Sequence, residues 1–135
     1  MVERLLRPSL LRLARRHPVV TLTGPRQSGK STLCRAAFPR KPYVSLEPPD
    51  ERDLARHDPR AFLARFPRGA VIDEVQRAPE LLSYVQDAVD RPPVPGLARR
   101  REPGHLLTGA RVSARDGGPV RDRRVDRLLG TVAEQ

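Results

Sequence analysis

Residues 24–31 are the stretch of sequence that decides the fold. They match the pattern G-x-x-x-x-G-K-S/T and read Gly24-Pro25-Arg26-Gln27-Ser28-Gly29-Lys30-Ser31. In such a stretch the glycines let successive backbone N–H groups converge on phosphate oxygens, and the start of the following helix attracts the same anion. Lys30 would reach the β- and γ-phosphates, and the Ser31 hydroxyl would coordinate Mg²⁺. The sequence therefore predicts a nucleotide-binding loop made of these eight residues and the next one, Thr32.

The segments on either side of the loop decide between a phosphate site and an ordinary turn with a surface lysine. Residues 19–23 read Val-Val-Thr-Leu-Thr, a run bounded by Pro18 and Gly24 that predicts a buried strand. Residues 31–38 suit a helix that ends before Pro39. A loop that follows a strand and opens a helix has the setting that the motif requires, so the phosphate site is favoured.

The rest of the first 110 residues alternates between helical and extended patterns. Apolar residues at helical spacing predict a helix over residues 5–14, with Pro8 near its start and His17-Pro18 ending it. Asp58 is the expected N-cap of a later helix. The remaining predictions are strands at 43–46, 70–72 and 105–108, and helices at 50–66, broken before Pro59, and at 79–89. Repeated βαβ units predict an α/β fold, a parallel sheet with helices on both faces, as in P-loop NTPases.

Two carboxylates follow the third predicted strand. Asp73 and Glu74 come at the carboxyl end of an apolar run, where open α/β sheets bind their ligands. Asp73 would hold Mg²⁺ through water, opposite Ser31, and Glu74 would polarise a water for in-line attack on the γ-phosphate. An acidic pair in a strand-to-helix turn is the simpler alternative. Its place 43 residues after Lys30, behind a buried strand, favours the catalytic interpretation.

The same pair separates the classes of nucleotide enzyme. GTPases of the Ras type read guanine through an Asn-Lys-x-Asp segment, which this sequence does not contain, and small-molecule kinases need no glutamate to activate water. ATP hydrolysis is therefore favoured. Thr108 ends the strand expected between the two motif strands, and it is the candidate for contacting the γ-phosphate and the attacking water. An ordinary strand threonine before Gly109 carries nearly equal weight, so the predicted catalytic residues are Glu74 and Thr108.

The charge of the chain suggests a second hypothesis. The sequence carries 26 basic and 16 acidic side chains among 135 residues, a formal charge of +10, and its basic residues are arginines except for Lys30 and Lys41. A nucleic-acid-binding module that uses ATP as a switch would fit this charge and would show a steep salt dependence of DNA binding. The arginines are scattered and aromatic residues make up only 4%, which favours solvated faces over a stacking platform for bases.

Simple counts exclude other classes of protein. No apolar run approaches the roughly 18 residues that a transmembrane helix needs, so no membrane partner is expected. Five arginines among the first 16 residues interrupt any secretory signal. Cys34 is the single cysteine, which excludes an internal disulfide framework and a cysteine-based zinc site. It fits a reducing cytoplasm, the expected location, and is expected to be a core residue rather than a nucleophile.

The composition changes toward the C-terminus. Residues 1–90 and residues 91–135 each carry a net charge of +5, so the second segment has twice the charge density. Proline and glycine rise from 13 of the first 90 residues to 11 of the last 45. This composition is typical of segments that fold poorly. The predicted division is a P-loop ATP-binding domain at 1–110 and a basic tail at 111–135, with the fifth strand of the sheet unassigned.

Five stretches of the sequence resemble a known family: residues 23–33, 43–47, 58–63, 72–82 and 106–109. The Asp-Glu-Val-Gln-Arg-Ala-Pro run at 73–79 is not generic to phosphate-loop proteins. The chain is similar to the prokaryotic P-loop ATPases of the AAA-like superfamily with an AAA_14-type N-terminal domain, which usually precedes a domain of unknown function, DUF4143. The resemblance covers residues 1 to about 110 and implies that ATP and Mg²⁺ bind in a cleft above a five-stranded parallel sheet.

The sequence also departs from this family. Ala110 stands where the family usually has serine, and Thr131 where an arginine would fall. The sequence does not identify an arginine finger, a group worth about 10³–10⁵ in rate; Arg26 lies in the loop itself and Arg77 just after the acidic pair. The resemblance thus implies a truncated or degenerate member, with a fold incomplete at its C-terminal end and with weak or lost hydrolysis. A non-functional fragment is the remaining alternative, and self-association or a missing C-terminal domain would supply partners.

Overall fold

The computed structural model describes residues 2–24, 29–90, 105–109 and 129–133, with side chains at 5–24 and 29–88. Helices and strands alternate along this part of the chain. The helices are α1 (Val2–Arg16), α2 (Lys30–Ala37), α3 (Pro49–His57), α4 (Pro59–Ala64) and α5 (Leu81–Asp90), with a 3₁₀ turn at Val75–Arg77. The strands are β1 (Val19–Thr23), β2 (Tyr43–Ser45), β3 (Val71–Asp73), β4 (His105–Gly109) and β5 (Leu129–Ala133). None of the described helices is long and apolar enough to cross a bilayer.

The five strands form one parallel sheet in the order β2-β3-β4-β1-β5. In β1, Val19 pairs with His105 of β4 on one side and with Leu129 of β5 on the other. The strand that leads into the phosphate loop is therefore interior and is held from both sides. Strand β4 lies between β1 and β3, which confirms the predicted place of the strand that carries Thr108.

Helices cover both faces of the sheet, as the βαβ alternation predicts. Because side chains alternate across a strand, Val20 and Leu22 face one layer of helices while Val19 faces the other. The core on the α1–α2 face consists of Leu10, Ala14, Val20, Leu22, Leu33, Cys34, Phe38 and Val71. The core on the α3–α5 face consists of Val19, Val44, Leu46, Ala55, Phe62, Ala70, Ile72, Val75, Ala78, Leu81 and Val85. The sheet is thus buried on both faces, which explains the near-continuous apolar runs of its strands.

Capping residues and prolines in the sequence predict most of the observed helix ends. The Asp58 side chain accepts a hydrogen bond from the Ala61 N–H at 3.0 Å, so the predicted N-cap of α4 is confirmed. Helix α1 differs from the prediction because it begins at Val2 and holds Pro8 inside it rather than near its start. Leu10 and Ala14 lie one turn apart and are buried against the sheet, so packing of this face stabilises the helix despite the proline.

The fifth strand is the main addition to the predicted architecture. Strand β5 lies inside the segment 111–135 that the sequence sets apart as a basic tail, and it pairs with the whole of β1, from Val19↔Leu129 to Thr23↔Ala133. These five residues therefore complete the five-stranded parallel sheet that the family resemblance implies. The predicted boundary at residue 110 falls outside the described residues and stays a prediction.

Candidate nucleotide-binding site

The two ends of the phosphate loop are brought together by its lysine. Lys30 is the first residue of α2, and its side chain is only 8% exposed. Its Nζ donates a hydrogen bond to the Gly24 carbonyl at 3.1 Å, so the ammonium group reaches back across the loop to the end of β1. The four central loop residues named above, Pro25, Arg26, Gln27 and Ser28, lie outside the described residues.

Gly29 allows the sharp entry into α2. Its φ of 78° and ψ of 14° are in the left-handed region, where residues with a Cβ are strained. A Cβ at this position would meet no atom within 4 Å, so glycine is needed for backbone conformation rather than for space. The Gly29 carbonyl accepts a hydrogen bond from the Leu33 N–H at 2.9 Å and starts the helix. The N-terminal end of α2 therefore lies directly behind the loop.

A tyrosine hydroxyl links the two predicted magnesium ligands. Asp73 ends β3 two residues after Val71, so both side chains lie on the α2 face of the sheet. The Tyr43 hydroxyl donates a hydrogen bond to Oδ2 of Asp73 at 2.7 Å. The Ser31 side chain is hydrogen-bonded to the same tyrosine oxygen. The structure thus brings Ser31 and Asp73 around one hydroxyl, although 42 residues separate them in the sequence.

The surroundings of Tyr43 keep its hydroxyl protonated. Burial raises the pKa of Tyr43 to about 12, with further contributions from the hydrogen bond to Asp73 and from the charge of that carboxylate. The Ser31 hydrogen bond and the Arg35 charge act in the opposite direction. The Arg35 guanidinium lies 4.8 Å from the centre of the tyrosine ring. At neutral pH Tyr43 therefore remains a hydrogen-bond donor to Asp73.

Glu74, the predicted catalytic carboxylate, has an unusual backbone conformation. Its φ of 57° and ψ of 38° are in the left-handed region, which non-glycine residues rarely adopt. The Glu74 N–H donates to Oδ1 of Asp73 at 2.9 Å, and the amide of Gln76 donates to Oε2 of Glu74 at 2.6 Å. These two bonds hold the backbone and the side chain of Glu74 in place at the carboxyl end of β3.

Arg77, one of the two arginine-finger candidates, contacts the chain's own glutamate. Its Nε lies 3.7 Å from Oε2 of Glu74, which makes an ion pair but is too long for a hydrogen bond. The Arg77 carbonyl accepts a hydrogen bond from Nε of Arg56 at 2.7 Å, which ties the 3₁₀ turn to α3. In this arrangement Arg77 belongs to the surroundings of Glu74.

The two threonines predicted as site residues lie on different elements, Thr32 on α2 and Thr108 on β4. Thr32 follows Ser31 on α2 and is exposed. Thr108 pairs with Leu22 of β1. The β3–β4 ladder ends with the pair Ile72↔Leu107, and Asp73 and Thr108 are the next residues of their strands. The backbone of Thr108 therefore lies beside the carboxyl ends of β1 and β3. Its side chain is not among the side chains that the structure describes.

Tyr43 and Gln76 are not among the site residues that the sequence predicts, yet they contact Asp73 and Glu74. The sequence places Tyr43 only in a predicted strand, and its hydroxyl at the start of that strand is the signal that points to a polar role. Gln76 lies two residues after Glu74, a spacing that places the two side chains on different sides of a regular helix. Only the 3₁₀ turn and the left-handed Glu74 bring their side chains together.

Cys34 is confirmed as a core residue, and its burial gives a testable prediction. Its side chain is fully buried beneath the site, and burial, followed by the charge of Asp73, raises the pKa of the thiol from 9.0 to about 12. Because the thiolate is the reactive form, we expect a thiol reagent at pH 8 to label the native chain at least about tenfold more slowly than the chain in urea. As the single cysteine, Cys34 accounts for the whole signal, and equal rates in both conditions would contradict its burial.

Comparison with known proteins agrees with this geometry. A family model described as an AAA domain matches residues 16–98, a narrower range than the resemblance noted from the sequence. Two uncharacterized proteins, Mb2031c of Mycobacterium bovis and Rv2008c of Mycobacterium tuberculosis, are each 40% identical over 87 residues. These residues are 64% of this chain and 20% of each relative, so the match spans about a fifth of the relatives' length. The family match covers more than half of the chain, and the chain has a parallel sheet and the G-x-x-x-x-G-K-S/T sequence at residues 24–31. The protein therefore belongs to the AAA_14 family of AAA domains, which are nucleotide-binding and P-loop ATPase-like.

Proposed function

We propose that the protein binds ATP in a Mg²⁺-dependent manner and that its hydrolysis of ATP is weak or lost. The observation that carries the proposal is the buried Lys30, whose Nζ lies 3.1 Å from the Gly24 carbonyl at the opposite end of the phosphate loop. An ammonium group has three N–H donors, so the bond to the Gly24 carbonyl does not prevent Lys30 from donating to a phosphate oxygen. The N-terminal end of α2 adds a positive dipole at the same place.

The donor set around Tyr43 fits a magnesium ion. Ser31 and Asp73 offer a hydroxyl and a carboxylate oxygen, and Mg²⁺ is usually held by one or two carboxylates together with substrate phosphates. A Mg²⁺ ion held by these residues would neutralise the negative charge of the phosphates. The protein's own part is to present Ser31 from α2 and Asp73 from β3 on the same face of the sheet.

The contacts of Glu74 support weak hydrolysis. A general base must reach a water in line with the γ-phosphorus, and Thr108 at the end of β4 is the proposed second contact to that water. In the structure Oε2 of Glu74 already accepts the Gln76 amide and lies 3.7 Å from the Arg77 guanidinium. Both neighbours donate to or attract the carboxylate and so compete with a water proton for it.

The proposal is tested by equilibrium titration of the full chain with a fluorescent ATP analogue, in Mg²⁺ and in EDTA. We expect saturable binding that Mg²⁺ strengthens, and competition by unlabelled ATP. An absence of saturable binding, or equal affinity with and without Mg²⁺, would overturn the proposed function.

Replacement of Glu74 by glutamine tests the weak hydrolysis separately. Because the change preserves shape and removes only charge, we expect Glu74→Gln to bind the ATP analogue as the wild type does. Phosphate release from ATP should be equally slow in the two proteins. Robust phosphate release by the wild type that Glu74→Gln lowers by about 10²–10⁴-fold would show instead that Glu74 is an active general base.

A further inference from the structure

We propose that Tyr43 is a positioning residue that orients both predicted magnesium ligands, Ser31 and Asp73, through a chain of hydrogen bonds. The inference rests on the proposed function, because it concerns Mg²⁺ bound together with ATP. It goes beyond that function in assigning a metal-affinity role to a residue on β2, which carries neither of the two motifs.

The Asp73 carboxylate is held at both oxygens. Its Oδ1 accepts the Glu74 N–H at 2.9 Å, and its Oδ2 accepts the Tyr43 hydroxyl at 2.7 Å. Each carboxylate oxygen has two lone pairs, so an oxygen that accepts one hydrogen bond can still face a cation or its water. These two bonds fix the plane of the carboxylate.

The Ser31 hydroxyl is oriented from the same atom. A hydroxyl has one hydrogen to donate and two lone pairs, and only the lone pairs can coordinate a metal ion. When the Ser31 hydrogen is donated to the Tyr43 oxygen, those lone pairs point away from the tyrosine. The order of donation then runs from Ser31 to Tyr43 and from Tyr43 to Asp73, which leaves a metal-facing side on both ligands.

The position of Tyr43 is set by the sheet and by an arginine. Tyr43 pairs with Val71 in the β2–β3 ladder, two residues before the level of Asp73, and the length of its side chain spans that offset. The Arg35 guanidinium, 4.8 Å from the ring centre, packs against the ring from α2. Tyr43 is therefore held between the helix that carries Ser31 and the strand that carries Asp73.

Removal of the hydroxyl alone tests the inference. Hydrogen-bond partners of metal ligands typically contribute 10–100-fold to metal affinity, so we expect Tyr43→Phe to raise the Mg²⁺ concentration needed for half-maximal binding of the fluorescent ATP analogue about tenfold. Binding of the analogue in EDTA should not change. Tyr84→Phe is the matched control, because Tyr84 also lies beneath an arginine, Arg60, at 5.8 Å, and it should leave the Mg²⁺ midpoint unchanged.

The direction in which Tyr43→Phe shifts the Mg²⁺ midpoint shows whether the Tyr43 hydroxyl orients the metal ligands or blocks the ion. An unchanged midpoint in Tyr43→Phe would overturn the inference, and so would a lowered midpoint, since that would show that the hydroxyl competes with the ion. Weakened binding in EDTA would overturn a role confined to the metal ligands. If the wild-type protein bound the ATP analogue equally well with and without Mg²⁺, the proposed function itself would be refuted. The two failures are therefore distinguishable.

Discussion

Replacement of Lys30 by alanine is expected to weaken binding of ATP by at least about 100-fold. A hydrogen bond to a charged group contributes about 1.5–3 kcal/mol, and Lys30 is proposed to face two phosphate groups, so a loss near 3 kcal/mol or more follows. The change should not unfold the chain, because alanine is a good helix former at the first position of α2. Titration with the fluorescent ATP analogue measures the effect.

Lys41→Ala is the matched control for this experiment, because Lys30 and Lys41 are the two lysines of the sequence. The Lys41 Nζ donates to the Arg68 carbonyl at 3.0 Å, before the start of β2 and outside the phosphate loop. We expect Lys41→Ala to change the affinity for the ATP analogue by less than about threefold, because salt screens a charge outside the binding site. Equal affinities of wild type and Lys30→Ala, with unchanged thermal unfolding, would refute the phosphate role of Lys30.

Replacement of Phe62 by alanine is expected to lower the free energy of unfolding by about 3–5 kcal/mol. Phe62 is fully buried in the core on the α3–α5 face, and the ring of Phe66 meets it edge-on with 5.6 Å between the ring centres. The loss is a large part of the roughly 5–15 kcal/mol that stabilises a typical domain. Urea denaturation followed by circular dichroism measures it as a lower midpoint.

Leu5→Ala provides the comparison for the core substitution. Leu5 is also a large apolar residue, but it lies on α1 and is 78% exposed. Its truncation should therefore change the free energy of unfolding by no more than about 0.5 kcal/mol. If Phe62→Ala unfolded at the urea concentration of the wild type, the α3–α5 face could not be packed as described.

The strand before residues 24–31 and the helix after Gly29 were predictable from local signals. Gly24, Gly29 and Lys30 stand at fixed spacing, and the apolar runs before the loop and before Asp73 indicate buried strands. These signals depend on neighbours within a few residues, and the parallel order of the strands follows from the βαβ alternation. The family match at residues 16–98 agrees with the same features.

The contacts inside the site were not predictable in this way. Tyr43 meets Asp73 because β2 pairs with β3 in one particular register, and a shift of one residue would turn the tyrosine to the other face. The left-handed conformation of Glu74 has no sequence signal either, since non-glycine residues adopt it only where the surrounding structure imposes it. Both features arise from tertiary packing.

Strand β5 was missed because composition was averaged over too long a segment. Residues 91–135 carry 10 basic and 5 acidic side chains, and this balance hides the short uncharged run Leu-Gly-Thr-Val-Ala at 129–133. A five-residue strand needs only one partner of matching register, and β1 provides it along its whole length. An edge strand of the sheet can therefore follow a segment whose composition is typical of poor folding.

The interior place of β1 has a consequence for the order in which the protein assembles. Its two neighbours come late in the chain, since Val19 pairs with residues 86 and 110 positions further on. During synthesis from the N-terminus, the strand that leads into the phosphate loop emerges early but must wait for both partners. Closing such long loops costs conformational entropy before any pairing is gained, which slows folding. Among the described strands, the one that leads into residues 24–31 is thus made first, but it is the last to be paired on both sides.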